Sequence, residues 1–444
     1  MRMKPSAHSL PFLIGALCLT PSAFAADLMQ VYREALSNDQ QYAAARATAE
    51  AGREKGPQGL SGLLPTIGAS ANVLYNDNRY RPDDQPSVSN SYRTNAYNVN
   101  LTQPLFRWQN FVQYDQGKLQ VVQAEANFAQ ASQDLIVRVA QAYFDVLNAQ
   151  ENLKSVRANK QSIAQQLEQA KKNFEVGTAT ITDSQEAQSR FDLAAAQEIA
   201  AQNDLDVKRY ALRVIVGKES GELNTLKPLA ELQSPQPASI EAWVDAAAKD
   251  SFSVQAQQAA AEIAAKEVER TRAGHYPTLD AVANYGDSRT ASSYGTIMVD
   301  TISRNIGLQV NIPIYQGGYV NSKTREAIAN RTAAEATLEG ARRGAALNAQ
   351  QSYLGVVNGL AQVKALEAAL VSSRSALESN KLGYEVGVRI NIDVLNAEQQ
   401  VYSTVSNLAK ARFDTLLAQL KLKAAVGTLS ETDLEQINPL FEVP

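Results

Sequence analysis

Asn173-Phe174-Glu175-Val176-Gly177 returns 210 positions later as Gly383-Tyr384-Glu385-Val386-Gly387. The correspondence runs on without a gap, Asp183, Ala187 and Gly217 returning as Asp393, Ala397 and Gly427. Upstream, Tyr143, Val146 and Asn148 answer to Tyr353, Val356 and Asn358. Pro104-Leu105-Phe106 matches Pro313-Ile314-Tyr315 one residue out of step, and Pro65-Thr66 matches Pro277-Thr278 two out. Shifts that small are absorbed in loops. The chain is therefore one structural unit written twice, with residues 26–238 as the first copy and 239–444 as the second.

Residues 1–25 stand outside the duplication. Arg2 and Lys4 make a basic start, residues 10–19 a short apolar core, and Ala23-Phe24-Ala25 a cleavage site. That is an export signal. Cys18, the one cysteine, lies in it, behind Leu17 where lipidation calls for a small residue. The mature chain is expected to be exported, free of thiols and not acylated. Of 42 Lys+Arg, two leave with the signal, against 46 Asp+Glu. The mildly acidic balance argues against a nucleic-acid partner. His8 also leaves, so His275 remains alone, facing Leu63 in the other copy. Histidine or cysteine metal sites, histidine-based triads and phosphate loops have no residues to build them. The chain reads as a non-enzyme without cofactor or metal.

Four stretches alternate. Ile67, Ala69, Ala71, Val73 and Tyr75 oppose Thr66, Gly68, Ser70 and Asn72. Tyr97, Val99 and Leu101 oppose Asn98, Asn100 and Thr102; Leu279, Ala281, Ala283 and Tyr285 share a face. Ile306, Leu308, Val310, Ile312 and Ile314 oppose Gly307, Gln309 and Asn311. About ten residues suffice for a tilted strand to cross a bilayer. Polar linkers at 79–86 and 290–303 suit outward loops, and Pro104 and Pro313 are expected to end the ladders. Tyr75, Tyr97, Tyr285 and Trp108 are candidates for an interfacial aromatic belt; core packing is the alternative for Trp108.

The rest reads as helix. Residues 107–174 contain no proline, only Gly117 interrupts them, and Ala, Gln, Leu, Glu and Lys dominate. The second copy gives 319–384. Such a helix is about 100 Å long, with small seams suited to coiled-coil packing. Shorter helices are expected at 27–56, 182–216, 239–273 and 391–426, with an irregular belt at 217–238 and its counterpart from 427 onward. No segment holds 18 consecutive apolar residues, so no transmembrane helix is expected.

Four strands cannot close a barrel, and eight-stranded interiors fill with their own side chains. Three chains give twelve strands and room for water. The small polar faces (Gly68, Ser70, Asn98, Asn100, Gln309, Asn311) suit a wet lumen. A non-conducting periplasmic coiled-coil scaffold is the alternative. At this point the chain resembles the TolC family of outer-membrane channels along essentially its whole mature length. The most specific stretches are Gly274-His275-Tyr276-Pro277-Thr278-Leu279-Asp280, Pro313-Ile314-Tyr315-Gln316-Gly317-Gly318, Ala142-Tyr143-Phe144-Asp145-Val146-Leu147-Asn148-Ala149, and Tyr384-Glu385-Val386-Gly387 with Asp393-Val394-Leu395. The resemblance implies an α+β membrane protein: a trimeric twelve-stranded β-barrel in the outer membrane, four strands per chain, continued by a long periplasmic α-helical barrel. It implies a passive exit duct for small toxic compounds or proteins. The implied partners are outer-membrane lipid, a periplasmic adaptor (membrane fusion protein) and an inner-membrane transporter.

The two turns after the long helices carry the candidate sites. Gly177 and Gly387 suit helix ends, and Asp183 and Asp393 suit the positive start of the next helix. Capping alone accounts for them. The resemblance implies more: a periplasmic gate latch at Thr182, Asp183, Tyr384 and Arg389. Arg389 is expected to bond Thr182 and Asp183 in its own or a neighbouring chain, and Tyr384 to bond Asp183. The family pattern puts two acids at the entrance; here Asp393 is present, Asn396 replaces the second, and Glu186 carries an acid at the equivalent place in the other copy. Gly177 and Gly387 are candidate adaptor contacts in the same family, and helix ending explains them equally.

Overall fold

A computed structural model describes residues 26–443 apart from 82, 85, 179, 228–229 and 292–296, so the export signal lies outside the described residues. The duplication is visible as two runs of helix, strand pair, long helix and shorter helix. In the first copy these are α1 (Leu28–Asn38), α2 (Gln40–Arg53), α3 (Lys55–Ser61), β1 (Thr66–Tyr80), β2 (Val88–Phe106), α4 (Trp108–Glu175), α5 (Ile181–Val216) and β3 (Thr225–Leu226). The second copy supplies α6 (Ile240–Asp250), α7 (Phe252–Arg272), β4 (Thr278–Ala291), β5 (Met298–Asn311), α8 (Tyr319–Glu385), α9 (Asn391–Val426), α10 (Glu431–Ile437) and β6 (Phe441–Glu442).

The strands form one antiparallel sheet in the order β1-β2-β4-β5, so the two hairpins meet along β2 and β4. Register puts Ile67, Leu101, Ala283 and Ile306 in one row, and Gly68, Asn100, Asn284 and Asn305 in the next. The alternation read from sequence thus falls into two consistent faces. The strands are longer than a crossing needs, at 15, 19, 14 and 14 residues. They take only residues 79–80 of the first expected linker but much of the second, β4 extending to Ala291 and β5 back to Met298. The prolines act differently from one another. Pro313 leaves β5 ending at Asn311, short of the expected Ile314. Pro104 stays inside β2, where pairing skips from Pro104–Asp280 to Phe106–Leu279, a bulge that absorbs its missing N–H.

The two long helices have 68 and 67 residues, about 100 Å each. Gly117 does not interrupt α4. It lies where a Cβ would stand 2.5 Å from the Lys55 carbonyl oxygen, so its role is close approach to α3. The helices expected at 27–56 and 239–273 are broken, each after eleven residues. Asp39 caps α2 by accepting from the Tyr42 N–H at 2.6 Å, and Ser251 caps α7 by accepting from Val254. Asp39 also receives both guanidinium arms of Arg138 at 3.0 Å. Burial by itself would raise its pKa, but the bonds from Arg138 and Tyr42 hold the carboxyl below its usual range.

The main core lies where α1, α4, α5, α9 and α10 converge. Leu28, Val31, Leu135, Val139, Tyr143, Phe144, Leu147, Leu212, Leu416, Leu420 and Leu434 are almost wholly buried there. Phe144 stacks between Phe413 and Phe441, at 5.8 and 5.9 Å between centroids. Tyr143 donates its hydroxyl to the carbonyls of Ala26 and Asn224. The two expected belts meet here, β3 pairing with β6 across the copies.

Candidate functional site: the twin helical turns

α4–α5 and α8–α9 are two helical hairpins, and α4 packs on α9 to join them. Their turns are backbone twins. Gly177 and Gly387 sit at φ +77° and +78°, with open space where a Cβ would be. Only glycine enters that left-handed region without strain. The Gly177 and Gly387 amides return to the carbonyls of Phe174 and Tyr384. Both glycines are exposed, beside the exposed side chains of Val176, Val386, Val388 and Ile390.

The acids behave differently. Asp183 closes a capping box: its Oδ2 accepts from the Thr180 N–H at 2.9 Å and hydroxyl at 2.8 Å, while Thr180 Oγ1 accepts from the Asp183 N–H. In the second copy the cap is Ile390, which has no side-chain acceptor. Asp393 instead faces Arg389, Nη1 to Oδ2 3.7 Å. The stem of Arg389 lies across Gly383, where a Cβ would come within 2.7 Å of its Cγ.

Within the chain, therefore, the four latch candidates are not joined as expected. Arg389 is turned to Asp393, and Asp183 to Thr180. The Tyr384 hydroxyl accepts from Asn173 Nδ2 at 3.5 Å, rather than bonding Asp183. Thr182 is exposed beside Asp183. Glu186 does not stand free; its Oε1 is 3.8 Å from Arg190, one turn along α5. Asn396 is exposed on the first turns of α9.

The residue that sequence reading missed is Glu398. It is 3 % exposed. Its Oε2 accepts from Ser162 Oγ at 2.5 Å and Gln166 Nε2 at 2.6 Å, both on α4. Its Oε1 lies 3.1 Å from Lys381 Nζ on α8. One buried carboxylate thus ties three helices, and hydrogen bonds to an ion are the strong kind. The seam continues polar, with Ser155 donating to the Tyr402 carbonyl and Ser406 to Asn152 Oδ1. A glutamate within a helix otherwise rich in polar residues gives no sign of burial. Its one clue is that the first copy has Gln188 at the same place.

The sheet end of the molecule is anchored by a second buried acid. Asp280, at the start of β4, accepts Arg107 Nε at 2.7 Å and Nη2 at 2.6 Å from the root of α4. Tyr75, Tyr97 and Tyr285 project from the apolar face of the sheet, 77 %, 64 % and 43 % exposed. Trp108 is partly exposed and tilts against Phe111 at 6.1 Å.

Known proteins share this architecture. The family model described as "Outer membrane efflux protein" matches residues 31–218 and again 243–428. Outer membrane protein TolC of Vibrio cholerae is 34 % identical over 438 residues, covering 98 % of each chain. Alkaline protease secretion protein AprF of Pseudomonas aeruginosa is 33 % identical over 97 % of this chain and 91 % of its own. The CmeC outer membrane channel of Campylobacter jejuni superposes with a TM-score of 0.80 at 16 % identity, over 99 % and 97 % of the two chains. The paired hairpins, doubled long helices and twin turns are thus an outer-membrane duct's protomer, and the chain belongs to the outer membrane efflux protein family, the TolC-like channels.

Proposed function

We propose that three copies of this chain close into the duct and that its periplasmic tip is a gate worked by an adaptor. The observation that carries the reading is the sheet's pair of unpartnered outer edges, β1 and β5, flanking a face without free charge. An exposed edge is a template for another strand. Closing three sheets edge to edge removes every edge and leaves twelve strands around water. α8 supports the same reading. It holds a stretch of mean hydropathy 1.3 that is only 11 % buried, yet at 67 residues the helix is far longer than a bilayer span. Such a face suits a neighbouring protomer.

At the tip, assembly would bring Arg389 within reach of Thr182 and Asp183 of a neighbour, with Tyr384 beside them. Asp183 meets its own cap through Oδ2, which leaves Oδ1 as an acceptor. Each exposed link is worth about 0–1 kcal/mol, so three copies hold a gate that a partner can open. Gly177 and Gly387, with Val176 and Val386 beside them, are offered to a periplasmic adaptor, and the duct continues from an inner-membrane transporter that supplies the energy. Relatives named for efflux and for protease secretion support small compounds and proteins as cargo. With Asn396 in place of an acid, the entrance carries three carboxylates from Asp393 rather than six. Part of the charge moves to Glu186, and the mouth attracts multivalent cations less.

The test is planar-bilayer recording of the purified mature chain, run beside an unheated gel. Steady conductance from a heat-modifiable trimer is expected. A monodisperse single copy without conductance overturns the duct in favour of the scaffold.

A further inference from the structure

The charged side chains of the four strands are sorted twice. The first sorting is by face. Asp77, Arg79, Arg93, Asp287, Arg289, Asp300 and Arg304 all share the face of Ile67, Leu101, Ala283 and Ile306. On the opposite face of the described strands the one charged group is Asp280, which Arg107 holds. The second sorting is by height. On β1, Tyr75 is followed on its face by Asp77 and Arg79; on β2, Arg93 precedes Asn95 and Tyr97. On β4, Tyr285 is followed by Asp287 and Arg289; on β5, Asp300 and Arg304 precede Ile306. On every strand the charges begin beyond an aromatic or aliphatic residue, on the side of the hairpin loops and away from the helices. The boundary runs obliquely across the rungs, from Tyr75 down to Ile306. That is the course of a level line on strands that cross a bilayer at a tilt.

We propose that this collar binds the phosphate groups of the phosphorylated lipid in the outer leaflet. The proposal rests on the outer-membrane duct reading. The apolar band must face lipid tails, and the collar is continuous with it, beginning one pleat (about 7 Å) above. Arg304 shares a rung with Tyr285 and lies over its ring at 5.7 Å, so its guanidinium is held at the band's rim. Arg289 reaches Asp300 at 3.5 Å, and Ser91 donates to Asp77 at 2.8 Å. Arg79 donates to Ser89 and Arg93 to Asn95 through Nε, which leaves the terminal arms of their forks. Four guanidinium groups against three carboxylates give a positive excess, and the planar fork matches phosphate oxygens.

The test mixes the full mature channel in nonionic detergent with diphosphoryl lipid A, or with the same lipid stripped of phosphate, and reads retained lipid by native mass spectrometry. The phosphorylated lipid is expected to be retained at least about tenfold better. The triple change Arg93→Gln, Arg289→Gln, Arg304→Gln should remove that preference while conductance stays unchanged. If it prevents assembly, the Lys triple variant keeps the charge without the fork and should retain an intermediate preference. Equal retention of both lipids, or of the phosphorylated lipid by wild type and variant, overturns the proposal. Displacement by millimolar inorganic phosphate would assign the collar to the free anion and overturn the lipid assignment. A channel that conducts without lipid preference sinks the collar alone, whereas a chain that never conducts sinks the duct.

Discussion

The two tips of this molecule have the same backbone but hold their acids differently. Gly177 and Gly387 end their helices at nearly the same φ, and Asp183 and Asp393 open the next helices at the same offset. Three positions before the acid the copies part: Thr180 in one, Ile390 in the other. Thr180 draws Asp183 into a reciprocal cap. Ile390 cannot, and Asp393 is left to Arg389. The duplicated turn thus keeps its shape while its side chains diverge: Thr180 draws one acid into a cap, and Ile390 together with Arg389, which stands where the first copy has Ala179, leaves the other in an ion pair. The same divergence recurs higher up. Gln188 bonds Asp192 on its own helix, whereas Glu398 reaches across to α4 and α8.

The largest expected effect comes from breaking that upper difference. Glu398→Ala leaves Lys381, Ser162 and Gln166 facing an emptied buried site. Lys381 is half exposed and can turn to water, so the cost falls on the stranded donors of Ser162 and Gln166, about 1–3 kcal/mol. The α4–α9 seam should loosen, giving channels of raised conductance and cells newly sensitive to large antibiotics. Glu398→Gln keeps hydrogen bonds to α4 but loses the charge, and should fall between. Wild-type conductance in both variants would show that the network only fills space.

Next in size is the latch. Arg389→Gln removes a cation from each tip and should raise conductance by less than Glu398→Ala, since exposed pairs contribute about 0–1 kcal/mol each. Gly383→Ala should act in the same direction without touching the charge, because its methyl would collide with the Arg389 stem. If Gly383→Ala leaves gating unchanged while Arg389→Gln opens it, the stem's seat on Gly383 is irrelevant.

An exchange of caps tests the comparison itself. Thr180→Ile should free Asp183 and cost about 1 kcal/mol of helix stability. Ile390→Thr should give α9 a cap, recover about the same amount, and draw Asp393 off Arg389. Thermal denaturation should move in opposite directions for the two variants, and a shift of the same sign in both would refute the account of the tips.

What the sequence disclosed follows from periodicity and local chemistry. The long helices, both strand faces and the twin glycines rest on contacts within a few residues. The breaks at Asp39 and Ser251 were also local, since both are capping residue types, but continuous Ala-rich composition masked them. The Thr180–Asp183 box was readable from its spacing in the same way. Glu398 was not, because its two α4 partners lie more than two hundred residues away and its neighbours in sequence resemble a solvated face. Strand length was hidden too. Residues 76–80 are as polar as a loop, and they are strand because β2 holds them there.

The smallest expected effect is at the mouth. Asn396→Asp places a second carboxylate one turn beyond Asp393 on the opening of α9, where the helix dipole favours negative charge. It disturbs little, since Asn396 is exposed. In an assembled trimer it turns a ring of three carboxylates into one of six. A trivalent cation added from the periplasmic side should then block at lower concentration, with high salt weakening the block. Asn396→Ala should leave the wild-type block in place. Block as tight in wild type as in Asn396→Asp, persisting in Asn396→Ala, would place the cation elsewhere. Glu186, the acid at the equivalent place in the other copy, would then be the next position to neutralise, although Arg190 already offsets part of its charge within the chain.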